Sequence, residues 1–161
     1  MAITPAVEQF LHAIESATIP ACDVWSADAT LDATVPNWRL HAAGPDAIRA
    51  EYARWFADPG HFDELRHYPV GGADGAADGT GAAVGGAGAP DGANGAADGA
   101  DGGGASDLVE YTLSWSENGV PHAAHHMHLL TVRDGRIVAD TVMCGGRWPA
   151  SLLAEMEAAD A

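Results

Sequence analysis

The chain has 161 residues, with 23 acidic side chains, seven arginines and no lysine, for a formal net charge of −16. So acidic a chain is repelled by phosphate backbones and anionic lipid surfaces, which excludes nucleic acid and membrane as partners. The length suits one compact domain, or one domain carrying a long loop. The opening MAITPAVEQF places no basic residue ahead of an apolar run, so no secretory signal is expected. No apolar stretch approaches the roughly 20 residues of a membrane span. Cys22 and Cys144 lie far apart and read as free thiols in a reducing compartment. A cytoplasmic protein is the expectation.

Thr4-Pro5 reads as an N-cap followed by proline in the first helical turn, and Val7, Phe10, Leu11 and Ile14 then mark one apolar helix face. Pro20 opens a second short helix through Trp25. The β-branched run Thr30 to Val35 ends at Pro36 and reads as a strand, with Trp38 to Ala42 as its hairpin partner. Gly44-Pro45-Asp46 starts a helix with Ile48, Tyr52, Trp55 and Phe56 on its face, closed by Asp58-Pro59-Gly60. Phe62 to Val70 reads as the next strand.

Composition then breaks. Gly71 to Asp107 spans 37 residues, of which 14 are Gly, 12 Ala and 6 Asp, with no aromatic, Leu, Ile or cation. Such a segment buries too little apolar surface to offset its ordering entropy, so residues 71–107 are expected to be a disordered insertion. Its Asp-Gly pairs lack the fixed period and large apolar residues of calcium-binding nonapeptide repeats. Strands resume at Leu108 to Ser116, so the insertion takes the place of a tight turn. Asn118-Gly119 and Asp134-Gly135 are hairpin turns leading into Val120–Val132 and Ile137–Cys144. Pro149 begins a last helix with Leu152, Leu153 and Met156 inward. The order predicts an α+β domain over residues 1–161, a curved antiparallel sheet packed on three helices from the N-terminal half, plus a short C-terminal helix.

The segment from Ser26 to Pro36 (SADATLDATVP), then Gly44 to Arg49 (GPDAIR) and Asp134 to Val138 (DGRIV), together resemble the SnoaL-like branch of the nuclear transport factor 2-like superfamily. The resemblance covers roughly residues 5–70 and 107–148. It implies a cone, a bent sheet around an apolar pocket closed by helices, often dimeric through the outer sheet face. Ketosteroid isomerases, polyketide cyclases, epoxide hydrolases and dehydratases share this fold, so the fold does not select among activities. The isomerase general base falls at Ala33, with Asp32 one position early, and its oxyanion donors fall near Gln9 or Phe10 and near Met127 or His128. The acid–base residue that SnoaL-like cyclases carry in the last strand corresponds to Asp140.

The residues themselves add candidates. His122, His126 and His128 share one strand face and His125 the other. Histidines two apart can chelate a metal with a third ligand from elsewhere, which would make His126 and His128, with His122 or Asp140, the set to test. Pocket acid–base work and structural roles are the competing readings, and no metal and no organic cofactor is expected. Asp140, in an otherwise apolar strand, needs a partner or a proton. If Arg133 and Arg136 flank a two-residue turn, Asp140 faces Leu129 and His128 points the other way; a one-residue bulge would change that. Asp140, His126, His128 and Asp32 are therefore the catalytic candidates, and Trp38, Tyr52, Trp55, Tyr111 and Trp115 the ligand-lining ones. Gly145-Gly146 reads as a sharp turn, because acidic surroundings disfavour an anion there. Three functions remain open: acid–base catalysis on a small hydrophobic molecule, noncatalytic binding of one, or a dimeric interaction module with a filled cone.

Overall fold

The structure, a computed structural model, describes residues 3–70 and 104–160. Most of the expected insertion, residues 71–103, lies outside the described residues.

Helix α1 runs from Pro5 to Glu15 with Pro5 in its first turn, where the missing N–H has no helical partner to lose. Val7, Phe10, Leu11 and Ile14 are all buried. A helix this short is marginal alone. Burial of each large side chain contributes about 1.5–3 kcal/mol, so packing holds it. Thr4 stands at the N-cap position, but its hydroxyl donates to Asp107, 2.9 Å away, rather than to the helix.

The helix expected from Pro20 to Trp25 is only a 3-10 turn, Ile19–Ala21. Trp25 instead opens β1 (Trp25–Val35), its ring drawn into the core 5.7 Å from Phe10. β2 (Trp38–Ala43) returns antiparallel, and α2 (Pro45–Trp55) then crosses the sheet with Ile48 and Tyr52 buried. β3 (Gly60–Val70), β4 (Ala105–Glu117), β5 (Val120–Arg133) and β6 (Arg136–Pro149) form the meander. Asn118 and Gly119 take φ of +51° and +79°, and Asp134 and Gly135 +52° and +74°, the left-handed pairs that two-residue hairpins demand.

The strands make one open sheet in the order β2-β1-β6-β5-β4-β3. The α+β architecture is as expected, but the sheet is mixed rather than wholly antiparallel. β1 and β6 pair in parallel, because the chain crosses from one sheet edge to the other through α2 and no hairpin sets their relative direction. Val70 pairs with Ser106, so β3 and β4 are neighbours as the sequence suggested. β4 begins earlier than expected. Asp107, placed in the structureless segment by composition, is a buried strand residue that accepts from Thr4 and lies 2.5 Å from His67 Nε2.

The core fills the space between the inner sheet face and α1 and α2, with Phe10, Trp25, Leu31, Ile48, Tyr52 and Tyr111 among its fully buried members. α3 (Ala150–Ala159) does not turn its apolar residues inward as expected. None of its residues is buried, and Leu152 and Met156 are exposed, because α1 and α2 already close the interior. No helix among the described residues is long and apolar enough to cross a membrane.

Candidate functional site

The site is built by two irregularities in the β5–β6 ladder. Val132 pairs with Ile137 as the hairpin dictates, but Thr131 pairs with Ala139, so Val138 is an extra residue on β6. That single insertion places Asp140 opposite Leu130 instead of Leu129, on the inner face that His128 shares. A second shift, between Ala124 and His126, spends its extra residue at Gly145-Gly146, where Gly146 takes φ +93°.

Asp140 and His128 are sealed in the core, 1% and 0% exposed. His128 Nδ1 lies 3.1 Å from both carboxylate oxygens of Asp140, and the Tyr52 hydroxyl donates to Oδ2. On the other side of the imidazole, Nε2 lies 3.0 Å from the Tyr111 hydroxyl. Burial, aided by the nearby Asp140 charge, pushes both phenols well above their ordinary range, so both keep their protons. Tyr52 O–H therefore donates to the carboxylate, His128 Nδ1 faces both of its oxygens, and the Tyr111 hydroxyl faces Nε2. The result is a satisfied chain, Tyr52–Asp140–His128–Tyr111, with no solvent contact.

His126 is different. Its ring stacks on Tyr111 (5.3 Å, 12°) and on His128 (5.9 Å, 11°), without joining their hydrogen bonds. Nε2 lies 3.6 Å from Cys144 Sγ, which also accepts the Gly146 N–H at 3.3 Å. Nδ1 is buried with no partner. Burial, reinforced by His128 and His125, holds the His126 pKa down at about 3. It is a neutral imidazole at physiological pH. Burial likewise raises Cys144, so its thiol keeps its proton.

His126 and Cys144 face a pocket of about 280 Å³. Val35, Pro36, Trp55, Trp115 and Ala124 supply apolar walls, and Arg54 and Arg147 complete the lining with Gly146. A Cβ on Gly146 would meet Pro36 Cγ at 2.9 Å, so glycine there lets two walls of the pocket touch.

The sequence candidates divide accordingly. His126, Trp55 and Trp115 line the pocket. Asp140, His128, Tyr52 and Tyr111 lie behind it in the buried chain. Asp32 sits on the outer face, beside Thr141, bound to Arg39 (Nε–Oδ1 2.9 Å) and 3.5 Å from His41; the Arg39 hydrogen bond holds its carboxyl below the usual range. Its neighbour Leu31, not Asp32, faces inward. Trp38 is 71% exposed at the β1–β2 turn, opposite Val35, and does not line the pocket. His122 stacks on Trp115 and binds the Val120 carbonyl, while His125 turns outward to Thr112 and Glu110. Among the described residues no three His, Cys, Asp or Glu converge in a metal-binding set. Sequence reasoning missed Cys144, Arg54 and Arg147 as pocket residues; no local pattern links helix residue 54 to strand residue 147.

No protein-family model and no curated sequence matches the chain. Its fold does match solved structures. A Bacillus subtilis protein provisionally described as an isomerase superposes with a TM-score of 0.52 at 14% identity, covering 87% of this chain and 84% of the other. A similarly described Rhodopseudomonas palustris protein gives 0.48 at 13%, over 89% and 91%. An NTF2-like protein of unknown function from Burkholderia xenovorans gives 0.45 at 17%, over 87% and 80%. At these identities the likeness extends to the fold alone, which the chain shares with the Bacillus subtilis protein.

Proposed function

We propose that the protein takes a small, largely apolar molecule into the His126 pocket and performs proton-transfer chemistry on it without an organic cofactor. The observation that carries this reading is His126 itself, a neutral imidazole lining a pocket with mainly apolar walls, its buried Nδ1 without a hydrogen-bond partner. An imidazole held so low is a weak base and a ready hydrogen-bond donor. It suits brief proton exchange with a carbonyl compound whose oxygen gains charge, as in isomerisation, cyclisation or dehydration. The buried Asp140–His128 pair supports the site from behind, fixing Tyr111, on which His126 stacks.

Hydrogen–deuterium exchange at C2 of 1-indanone tests the chemistry. The C–H bond breaks and its proton passes to solvent base, the electron pair moves onto the carbonyl oxygen, which the neutral His126 ring stabilises as a hydrogen-bond donor, and a solvent deuteron then returns to carbon. Exchange above the buffer rate, lost in His126→Gln, is expected. Indanone that binds without accelerated exchange would favour the second reading, noncatalytic binding, which the sealing of Asp140 and His128 in the core supports. The proposal includes a homodimer through the outer sheet face, where Met127, Leu129 and Met143 are exposed. A light-scattering mass of 16.5 kDa, that of one chain, at tens of micromolar would remove that part.

A further inference from the structure

Two of the chain's seven cations meet at one pocket. Arg54, in the last turn of α2, and Arg147, near the end of β6, both line it, while no acidic side chain among the described residues does. In a protein of net charge −16, the formally charged side chains of this lining are both cationic. Each guanidinium has a carboxylate neighbour outside the pocket lining, Glu51 for Arg54 and Glu117 for Arg147. Those partners hold the arginines in place without exhausting them, since a guanidinium carries five N–H donors and a carboxylate engages at most two at once. Glu51 also accepts the Trp55 indole N–H at 3.1 Å, and Arg147 lies 5.4 Å over the Trp115 ring, so both cations are tied to the two aromatic walls.

The polarity of the pocket is therefore ordered. Arg54 and Arg147 are 72% and 51% exposed and stand at its rim, whereas His126 is 3% exposed and stands at its depth. We infer that the natural ligand is a small aromatic or otherwise apolar carboxylic acid, its carboxylate between Arg54 and Arg147, its body between Trp55 and Trp115, and its reacting end toward His126. This rests on the proposed use of the pocket and names its substrate class. The distant acids do not oppose it strongly, because at physiological ionic strength charges more than about 8 Å away are largely screened.

Phenylacetate and its neutral amide, phenylacetamide, are probes of nearly equal shape, and titration calorimetry reads both. Phenylacetate is expected to bind about tenfold or more tightly than the amide, the scale of hydrogen bonds to a charged group. The preference should shrink in Arg54→Gln and in Arg147→Gln, and should fall as salt is added to the wild-type protein. Ala124→Leu, which fills the pocket, should abolish binding of both probes. Equal affinity of acid and amide, or a preference that neither salt nor the arginine variants reduce, overturns the carboxylate assignment while leaving the pocket reading intact. Failure of both probes and of indanone to bind overturns the two together.

Discussion

The neutrality of His126 carries a measurable cost in acid. Its pKa is about 3 in the folded chain, against an ordinary value of 6.5 in the unfolded one. Between those values the unfolded state binds a proton that the folded state refuses, so stability rises with pH across that window and levels off above about 6.5. The depressed pKa is thus a liability at low pH, lost as a penalty when the ring is neutral in both states. From pH 7 to pH 5 the penalty grows by about 2 kcal/mol, and any folded-state value below about 4 gives nearly the same figure. Urea unfolding of wild type and His126→Gln at pH 5, 6 and 7 isolates this contribution, because the other titrating groups are common to both proteins. The two stabilities should converge by about 2 kcal/mol as pH falls from 7 to 5. Parallel pH dependences would show that His126 gains its proton in the folded state as readily as in the unfolded one. The argument for a neutral imidazole in the pocket would then fail.

Tyr52→Phe keeps the ring contacts with Phe10 and Phe56 but removes the donor to the buried Asp140 carboxylate, and should cost about 1.5–3 kcal/mol in urea unfolding; a loss within the roughly 0.5 kcal/mol of an ordinary surface change would mean the hydroxyl does not serve Asp140. Gly146→Val meets both a left-handed φ of +93° and Pro36, so it should lose about 1–3 kcal/mol and weaken indanone binding, and unchanged binding would dissociate Gly146 from the pocket wall. Replacing residues 71–103 with Asn-Gly and short flanks should leave the melting temperature equal or slightly raised, since Val70 and Ser106 already pair and loop-closure entropy grows only as about 1.5 RT ln n. An unfolded product would show that this segment contributes packing.

What the sequence disclosed and what it hid follow from the range of the interactions. The α1 face, the α2 face and the two hairpin turns are local patterns of period and turn chemistry, and they stand where periodicity puts them. The alternation of β5 likewise put His126 and His128 on one face. The face of Asp140 was not legible, because it depends on one bulged residue, Val138, and a shift of one reverses every side chain beyond it. The parallel pairing of β1 with β6 joins residues about a hundred positions apart and leaves no local mark. Asp107 was lost to averaging. A Gly/Ala/Asp composition describes residues 71–107 as a whole, yet the last of them already belongs to a strand and ties α1 to His67.

The same bulge explains why the buried pair and the pocket histidine divide their work. Because Val138 turns Asp140 inward, the carboxylate meets Tyr52 and His128 where water does not reach, and all its strong donors come from the protein. His128 is then committed at both ring nitrogens, one to Asp140 and one to Tyr111. His126, two residues earlier on the same face, finds no such partner: the carboxylate is already engaged, and its neighbours offer it ring faces and a thiol. A charged His126 would therefore be buried without a counter-ion, which is the physical reason it stays neutral. Since Tyr111 and His126 touch by stacking and not by hydrogen bonding, no proton passes directly from the buried chain to the pocket. The chain holds the geometry, and the imidazole left outside it is the one to which the proposed chemistry is assigned.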